Sequence, residues 1–216
     1  MPILLTRNVP TKFIKVSSFD INAKRLFDLI CSFILLVLSM PVIIICILAA
    51  TISTSSYGLF SQFRIGMHGR QFVMYKVKTM KDGSGARSSV SISSDRSITR
   101  VGRLFRRWKL DELPQLFNIL IGDMSFVGPR PDVPGFADCL DESDRRFLTI
   151  RPGITGPASL KYRDEEFILD GVADPERYNR EVIWPDKVSV NLAYIDNYSF
   201  LLDLKYLILT VVPNNE

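Results

Sequence analysis

Two adjacent carboxylates, Asp111 and Glu112, are the residues of this sequence best suited to chemistry. They follow the basic stretch RRWKL and stand just before Pro114. Proline is tolerated in a helix only in its first turn, so a helix is predicted to start at about 111–113. There the two acids could be an N-cap and a first-turn acid, which is the ordinary explanation for such residues. The same position would also keep a carboxylate ionised, and therefore able to bind Mg²⁺ or to act as a nucleophile.

Arg130 is the next candidate, because Pro129 and Pro131 enclose it on a stiff, extended loop. A fixed guanidinium matches a phosphate or diphosphate bidentately, and the alternative is a structural turn with an exposed arginine. Mg²⁺ takes one or two carboxylates together with substrate phosphates. A metal shared by Asp111, Glu112 and a bound diphosphate would therefore need no further protein ligand.

The composition places these candidates in a protein whose apolar residues are concentrated in one segment. The chain has 216 residues, 47% of them hydrophobic, and a formal net charge of +4. Basic residues crowd near the apolar segment and at 96–109, which favours contact with anionic phosphates or a membrane surface. No nucleic-acid partner is expected.

The chain has a single histidine, His68, so mechanisms that need two histidines are excluded. His68 lies in the run GMHGR, which predicts a turn. The three cysteines form no C-x-x-C pair, and neither a disulfide framework nor a zinc site is predicted.

The apolar segment predicts a membrane helix. From Leu29 to Thr51 no residue is charged, and this length meets the ~20 residues that a helix needs to cross a bilayer. Pro41 near its centre predicts a kink or break, and Ser39 is a candidate partner for the backbone exposed there. Basic residues flank the segment on both sides, so a straight span would put one group on the wrong side. We therefore favour a re-entrant helix that bends at Pro41 and returns to the same face over a kinked single span.

The remaining sequence predicts an α+β domain, predominantly helical, that lies against the membrane. Residues 71–77 have the aromatic and β-branched composition of a strand. Amphipathic helices are predicted around 98–121 and 199–212, where they could rest at the membrane interface.

The sequence also predicts two loops and a division of the chain into two parts. The Ser/Gly-rich stretch 81–95 predicts a loop, and the stretch 151–157, RPGITGP, predicts another whose glycines permit close approach of two backbones. We divide the chain into an N-terminal segment with the re-entrant helix, residues 1–57, and a domain on the cytoplasmic face that holds the candidate residues, residues 58–216.

Five stretches of the sequence resemble the small monotopic phosphoglycosyl transferases, also called bacterial sugar transferases. They are KRLFD at 24–28, YKVKTM at 75–80, ITRVGRLFRRWKLDELPQLFNILIGDMSFVGPRP at 98–131, RPGITGPASL at 151–160 and YIDNYSFLLDLKYLILT at 194–210. The long central motif is highly specific, and the stretches are spread over nearly the whole chain. Within the family, the chain most resembles the member that begins the N-linked glycan of Campylobacter.

The resemblance implies a Mg²⁺-dependent enzyme at the cytoplasmic face of the bacterial inner membrane. Its substrates would be a UDP-sugar and polyprenol phosphate. By the family's motif, Asp111 is the nucleophile that forms a covalent aspartyl phosphosugar and releases UMP. Glu112 completes the dyad and helps with Mg²⁺ or proton handling. The sugar, the glycan, the polyprenol length and the oligomeric state are left open.

The basic residues of the motif also acquire implied roles. Arg106 and Arg130 match the family's phosphate-contacting arginines, while Lys76 and Lys78 are further phosphate-binding candidates. Two alternatives remain: a non-catalytic basic peripheral membrane protein that binds anionic lipid, and a catalytically inactive relative. The basic lipid binder does not explain why acidic residues and the proline-enclosed Arg130 adjoin the cationic helix. The retained motif residues argue against an inactive relative.

Overall fold

The computed structural model describes residues 18–82 and 97–212. Helices predominate and two small sheets accompany them, as expected for a mostly helical α+β protein. In chain order the helices and strands are α1 (Ser18–Thr54), β1 (Leu59–Ile65), β2 (Gln71–Val77), α2 (Arg100–Arg107), α3 (Gln115–Ile121), β3 (Ser125–Val127), β4 (Gly153–Thr155), α4 (Pro157–Lys161), α5 (Glu165–Asp170), α6 (Pro175–Tyr178), α7 (Trp184–Asp196) and α8 (Phe200–Val211). A π-helical turn, Asn179–Ile183, joins α6 to α7. The predicted loop at 81–95 falls mostly outside the described residues.

One face of α1 packs against the rest of the chain. Its buried residues are spaced by whole helical turns; they are Lys24, Asp28, Ser32, Ile43, Cys46, Ala50 and Thr54. The opposite face exposes large apolar side chains, namely Phe33, Leu38, Ile45, Leu48 and Ile52, the last of them 82% exposed. Within residues 18–82 and 97–212, α1 is the one helix long and apolar enough to cross a membrane. So large an exposed apolar surface needs lipid to cover it, and the chain therefore associates with a membrane.

Both ends of α1 contact the same body of the chain. Near the N-terminal end, the Lys24 ammonium donates a hydrogen bond to the Asp203 carboxylate of α8. Near the C-terminal end, Ala50 packs in a cluster with Val77 and Phe105. The helix therefore lies along the domain instead of extending away from it. This arrangement is compatible with keeping both flanking basic groups on one side of a membrane, and the re-entrant course stays a prediction.

Of the kink or break predicted at Pro41, the break is not present, because α1 continues through this residue as one helix; the kink stays a prediction. Proline lacks an amide hydrogen, so the Val37 carbonyl one turn earlier loses its usual partner. The Ser39 hydroxyl donates instead to the carbonyls of Leu35 (2.6 Å) and Leu36 (3.4 Å). Ser39 thus does not replace the missing bond. A helix of 37 residues tolerates the loss because its other turns keep their hydrogen bonds.

The hairpin β1–β2 confirms the predicted strand at Gln71–Val77. Its register pairs Phe60 with Lys76 and Arg64 with Phe72, so Arg64 lies on the same face of the sheet as Lys76. The outer edge of β2 has no third strand in the described chain. The fully buried Asn118 of α3 takes that place: its Oδ1 accepts from the Tyr75 amide (3.1 Å) and its Nδ2 donates to the Val73 carbonyl (2.7 Å).

The short parallel strands β3 and β4 join the two proline-rich loops. Their backbones approach so closely that a Cβ on Gly153 would lie 2.2 Å from the Gly128 amide nitrogen. The predicted close approach at 151–157 is therefore confirmed, and its partner is the loop that contains Arg130.

The C-terminal elements complete the core. In α7, Val188 and Leu192 pack with Ile65 and Phe147. The Ser199 hydroxyl caps α8 by accepting from the Leu202 amide, which confirms the predicted helix at 199–212.

Candidate functional site

The carboxylate pair lies in a tight turn between α2 and α3. After α2 ends, Lys109 adopts a left-handed conformation (φ 54°), and residues Leu110–Glu112 form a 3-10 turn. Helix α3 begins only at Gln115, with Pro114 as its N-cap residue. The helix start predicted at 111–113 was therefore too early, because a 3-10 turn occupies Leu110–Glu112 before the helix forms. Asp111 consequently does not cap α3, and the ordinary explanation for it fails.

Glu112 is held by two cations. Its Oε1 accepts from the Lys76 ammonium (3.1 Å) and from the Arg130 guanidinium (2.6 Å). Burial alone would raise the pKa of this carboxyl, but Arg130 and Lys76 outweigh burial and hold the pKa well below its ordinary value. Glu112 is therefore a fixed anion that orients both cations. The Lys76 side chain is only 19% exposed, whereas 43% of the Arg130 side chain still faces solvent.

Asp111 is placed differently. The residue is 8% exposed, and its Oδ1 is buried without a hydrogen-bond partner among the described residues. Burial raises the pKa of this carboxyl, Lys76 opposes the shift, and Glu112 adds to it. A carboxylate that is poorly solvated and unpaired is a stronger nucleophile and a more available ligand than one held in ion pairs. The two acids thus have unequal environments.

Arg106 occupies the rim of the site. Its Nε donates to the Thr79 hydroxyl (3.1 Å) and its Nη1 to the Glu166 carboxylate of α5 (3.1 Å). The charge of Arg106 also lowers the pKa of Asp111, though less than Lys76 does. Sequence reasoning missed Glu166, because nothing local marks an acid on α5 as the partner of an arginine on α2.

The two lysines predicted to bind phosphate lie in different places in the structure. Lys76 contacts the carboxylate pair, as described above. Lys78 follows the last residue of β2, and its ammonium donates to the Ser56 hydroxyl (2.8 Å) and to Asp82 (2.6 Å). The structure therefore places Lys78 at the C-terminal end of α1, and its role in phosphate binding stays a prediction.

Two further residues beside Arg130 escaped sequence reasoning. The Arg64 guanidinium donates to the Pro131 carbonyl (3.1 Å), which places it at the loop that carries Arg130. Burial raises the pKa of the Asp132 carboxyl to about 6, although Lys187 and Arg64 oppose this shift. The alternation of side chains along a strand was a usable signal for Arg64, since β1 had to pair with β2.

A metal site made of protein ligands alone is absent from the described residues, where no group of three or more His, Cys, Asp or Glu comes together. Glu112 already pairs with two cations through Oε1. The unpaired Oδ1 of Asp111 is the oxygen best placed for a cation. This arrangement fits a Mg²⁺ ion that is held by one or two carboxylates and completed by substrate phosphates.

Comparison with known proteins identifies the family. The profile described as "Bacterial sugar transferase" matches residues 19–214. The uncharacterized sugar transferase EpsL of Bacillus subtilis (strain 168) is 36% identical over 87% of this chain and 85% of its own length. The undecaprenyl-phosphate glucose phosphotransferase of Komagataeibacter xylinus is 34% identical over 91% of this chain and 36% of its own length.

A third relative shows the same pattern. The UDP-glucose:undecaprenyl-phosphate glucose-1-phosphate transferase of Klebsiella pneumoniae is 32% identical over 87% of this chain and 39% of its own length. The chain thus spans most of EpsL but well under half of the other two proteins. The narrower resemblance to the Campylobacter member stays a prediction. Because the family profile covers nearly the whole chain, including both carboxylates, the chain belongs to the bacterial sugar transferase family.

Proposed function

We propose that this protein transfers a sugar 1-phosphate from a UDP-sugar to polyprenol phosphate and releases UMP. The relatives named as undecaprenyl-phosphate sugar phosphotransferases support this reaction. The observation that carries the proposal is Asp111, a buried carboxylate with an unpaired oxygen beside the cations Lys76 and Arg106. The product would begin a bacterial glycan, such as lipopolysaccharide, capsule, exopolysaccharide or a glycoprotein glycan.

In the first half-reaction, a carboxylate oxygen of Asp111 attacks the β-phosphorus of the UDP-sugar. A bond forms between this oxygen and phosphorus, the bond from phosphorus to the bridging oxygen breaks, and UMP leaves with the electron pair. The enzyme then carries an aspartyl phosphosugar. Cations beside the site stabilise the negative charge that develops on the departing phosphate.

In the second half-reaction, a phosphate oxygen of polyprenol phosphate attacks the same phosphorus. The bond between phosphorus and Asp111 breaks, and the carboxylate is regenerated as the polyprenol diphosphate sugar leaves. The transfer is thus split into two displacements at the same phosphorus: Asp111 attacks it in the first, and polyprenol phosphate attacks it in the second.

The remaining site residues bind and orient the phosphates. Glu112 fixes Lys76 and Arg130 by its ion pairs, and Arg130 keeps free donors for a diphosphate. Arg106 contributes a second guanidinium from the rim. Bound Mg²⁺ would neutralise phosphate charge, with Asp111 and Glu112 as the protein residues that could hold it.

The membrane supplies the second substrate. A polyprenol chain resides in lipid, and the exposed apolar face of α1 would place the domain at the bilayer surface. UDP-sugars are made inside the cell, so we propose the cytoplasmic face of the bacterial inner membrane as the location. Membrane lipids are therefore partners as well as surroundings.

Replacing Asp111 tests the proposal directly. Asp111→Asn is expected to lower UMP release and polyprenol product by roughly a thousand-fold or more, because the nucleophile is lost. Radiolabelled phosphosugar should be trapped on the wild-type protein and not on this variant. Asp141→Asn removes an exposed carboxylate away from the site and serves as the matched control. Near-normal turnover by Asp111→Asn would refute the assignment.

The alternative of a non-catalytic lipid-binding protein is not favoured, because family membership does not support it. Metal removal separates the two. EDTA should stop transfer while leaving membrane association intact, whereas simple adhesion to anionic lipid should respond mainly to salt.

A further inference from the structure

Arg64 near the end of β1 is a half-buried cation to which the proposed reaction assigns no task. Its Nη1 donates to the Pro131 carbonyl (3.1 Å) and its Nη2 to the Gln62 side chain (2.7 Å). Its Nε is buried without an acceptor among the described residues. Burial and the neighbouring Arg130 lower the pKa of Arg64 to about 10. A guanidinium that is partly withdrawn from water and has no hydrogen-bonded carboxylate is costly, so its contacts should indicate what it does.

The contacts of Arg64 fall on the loop that carries Arg130. On one side of this loop, the Gly153 amide holds the carbonyl of Pro129 (2.8 Å). On the other side, the Arg64 guanidinium and the Ile65 amide hold the carbonyls of the two residues after Arg130. The loop is thus fixed from both sides, and Arg64 is the side chain in this set that a substitution can remove.

Charge gives Arg64 a second effect on the same loop. Arg130 and Arg64 repel each other as like charges, and Arg64 is already anchored by two acceptors. Arg130 is the freer of the two and turns to Glu112 at 2.6 Å. Repulsion from Arg64 and attraction to Glu112 therefore both act on the Arg130 guanidinium.

We propose that Arg64 is a positioning residue that holds the Pro129–Pro131 loop and directs Arg130 toward the substrate phosphates. The inference rests on the proposed function, since it gives Arg130 a phosphate to bind. Arg64 acts through Arg130 and not by direct contact, because its Nε is buried and its Nη1 and Nη2 each already donate to a protein acceptor.

A double-mutant cycle measures this dependence. UMP binding to the full-length protein in nanodiscs is followed by titration calorimetry for wild type, Arg64→Gln, Arg130→Gln and the double variant. Arg64→Gln should weaken UMP binding roughly ten-fold when Arg130 is present, and less than about two-fold when Arg130 is already replaced. Arg70→Gln, the same change at an exposed arginine of the hairpin, should leave binding unchanged.

The results of this cycle distinguish a failure of the role given to Arg64 from a failure of the proposed function. An equal loss in both backgrounds, or no loss in either, overturns the positioning role. Arg64→Lys keeps the charge but can reach only one of the two acceptors, so it should weaken binding roughly three-fold; it replaces Arg64→Gln in the cycle if that variant does not fold. Failure of the wild-type protein to bind UMP would count against the proposed function itself. Normal wild-type binding with no effect of Arg64 substitution would count against this inference alone.

Discussion

Asp111 combines the reactivity of an unpaired carboxylate with the cost of burying a charge. Because its pKa is raised, folding disfavours the ionised form, and stability falls as the pH rises through the unfolded pKa toward the folded one. Asp111→Asn removes the charge at nearly constant shape. We expect it to be more stable than the wild type at neutral pH, with a gain of roughly 2–4 °C in Tm for each kcal/mol.

The pH dependence of this gain is the sharper test. As the pH falls through the raised pKa of Asp111, the wild-type carboxyl becomes protonated and loses its penalty. The difference in Tm between Asp111→Asn and the wild type should therefore shrink in acid, as followed by thermal denaturation in detergent. A variant that is less stable at neutral pH, or a difference that does not change with pH, would contradict the burial argument.

Asn118 shows how one element is completed by a side chain of another. Its amide replaces a missing strand beside β2, which also carries Lys76. Asn118→Ala would leave a buried amide and a buried carbonyl without partners, so the free energy of unfolding should fall by about 2–4 kcal/mol. Asn197→Ala, which removes an exposed bond to the Ala193 carbonyl, should cost well under half as much. Chemical denaturation checks both variants, and equal losses would show that the edge of β2 is not held in this way.

At the scale of elements, the sequence was informative wherever pattern and local chemistry agreed. The strand at 71–77 follows from its aromatic and β-branched composition, and the helix at 199–212 from its amphipathic run. The start of α3 did not follow from the sequence, because amino-acid propensities do not mark the left-handed conformation of Lys109 or the 3-10 turn after it. The pairing of Glu112 with Lys76 was also hidden, since it depends on how the hairpin packs against the turn. Pro41 predicted a kink or break, and the helix continues through this residue without a break.

The course of α1 is a property of the whole molecule. Both ends of the helix contact the same domain, so both should be reached from the same side of the membrane. Single cysteines at the exposed positions Asn22 and Tyr57, in a background with Cys31, Cys46 and Cys139 replaced by alanine, test this. An impermeant maleimide should label both in inverted vesicles and neither in intact spheroplasts. Labelling of the two sites from opposite sides would establish a single span.

The buried face of α1 makes this helix part of the enzyme as well as its anchor. Lys24 neutralises Asp203, and Asp28 accepts from the Phe126 amide on β3, immediately before the Arg130 loop. A chimera that carries a foreign membrane helix of equal length and hydropathy would still bind lipid. It would also leave the Asp203 carboxylate without its cation, with only the hydroxyls of Tyr194 and Tyr198 as donors, and the Phe126 amide without its acceptor. Anchors in this protein are therefore not interchangeable modules.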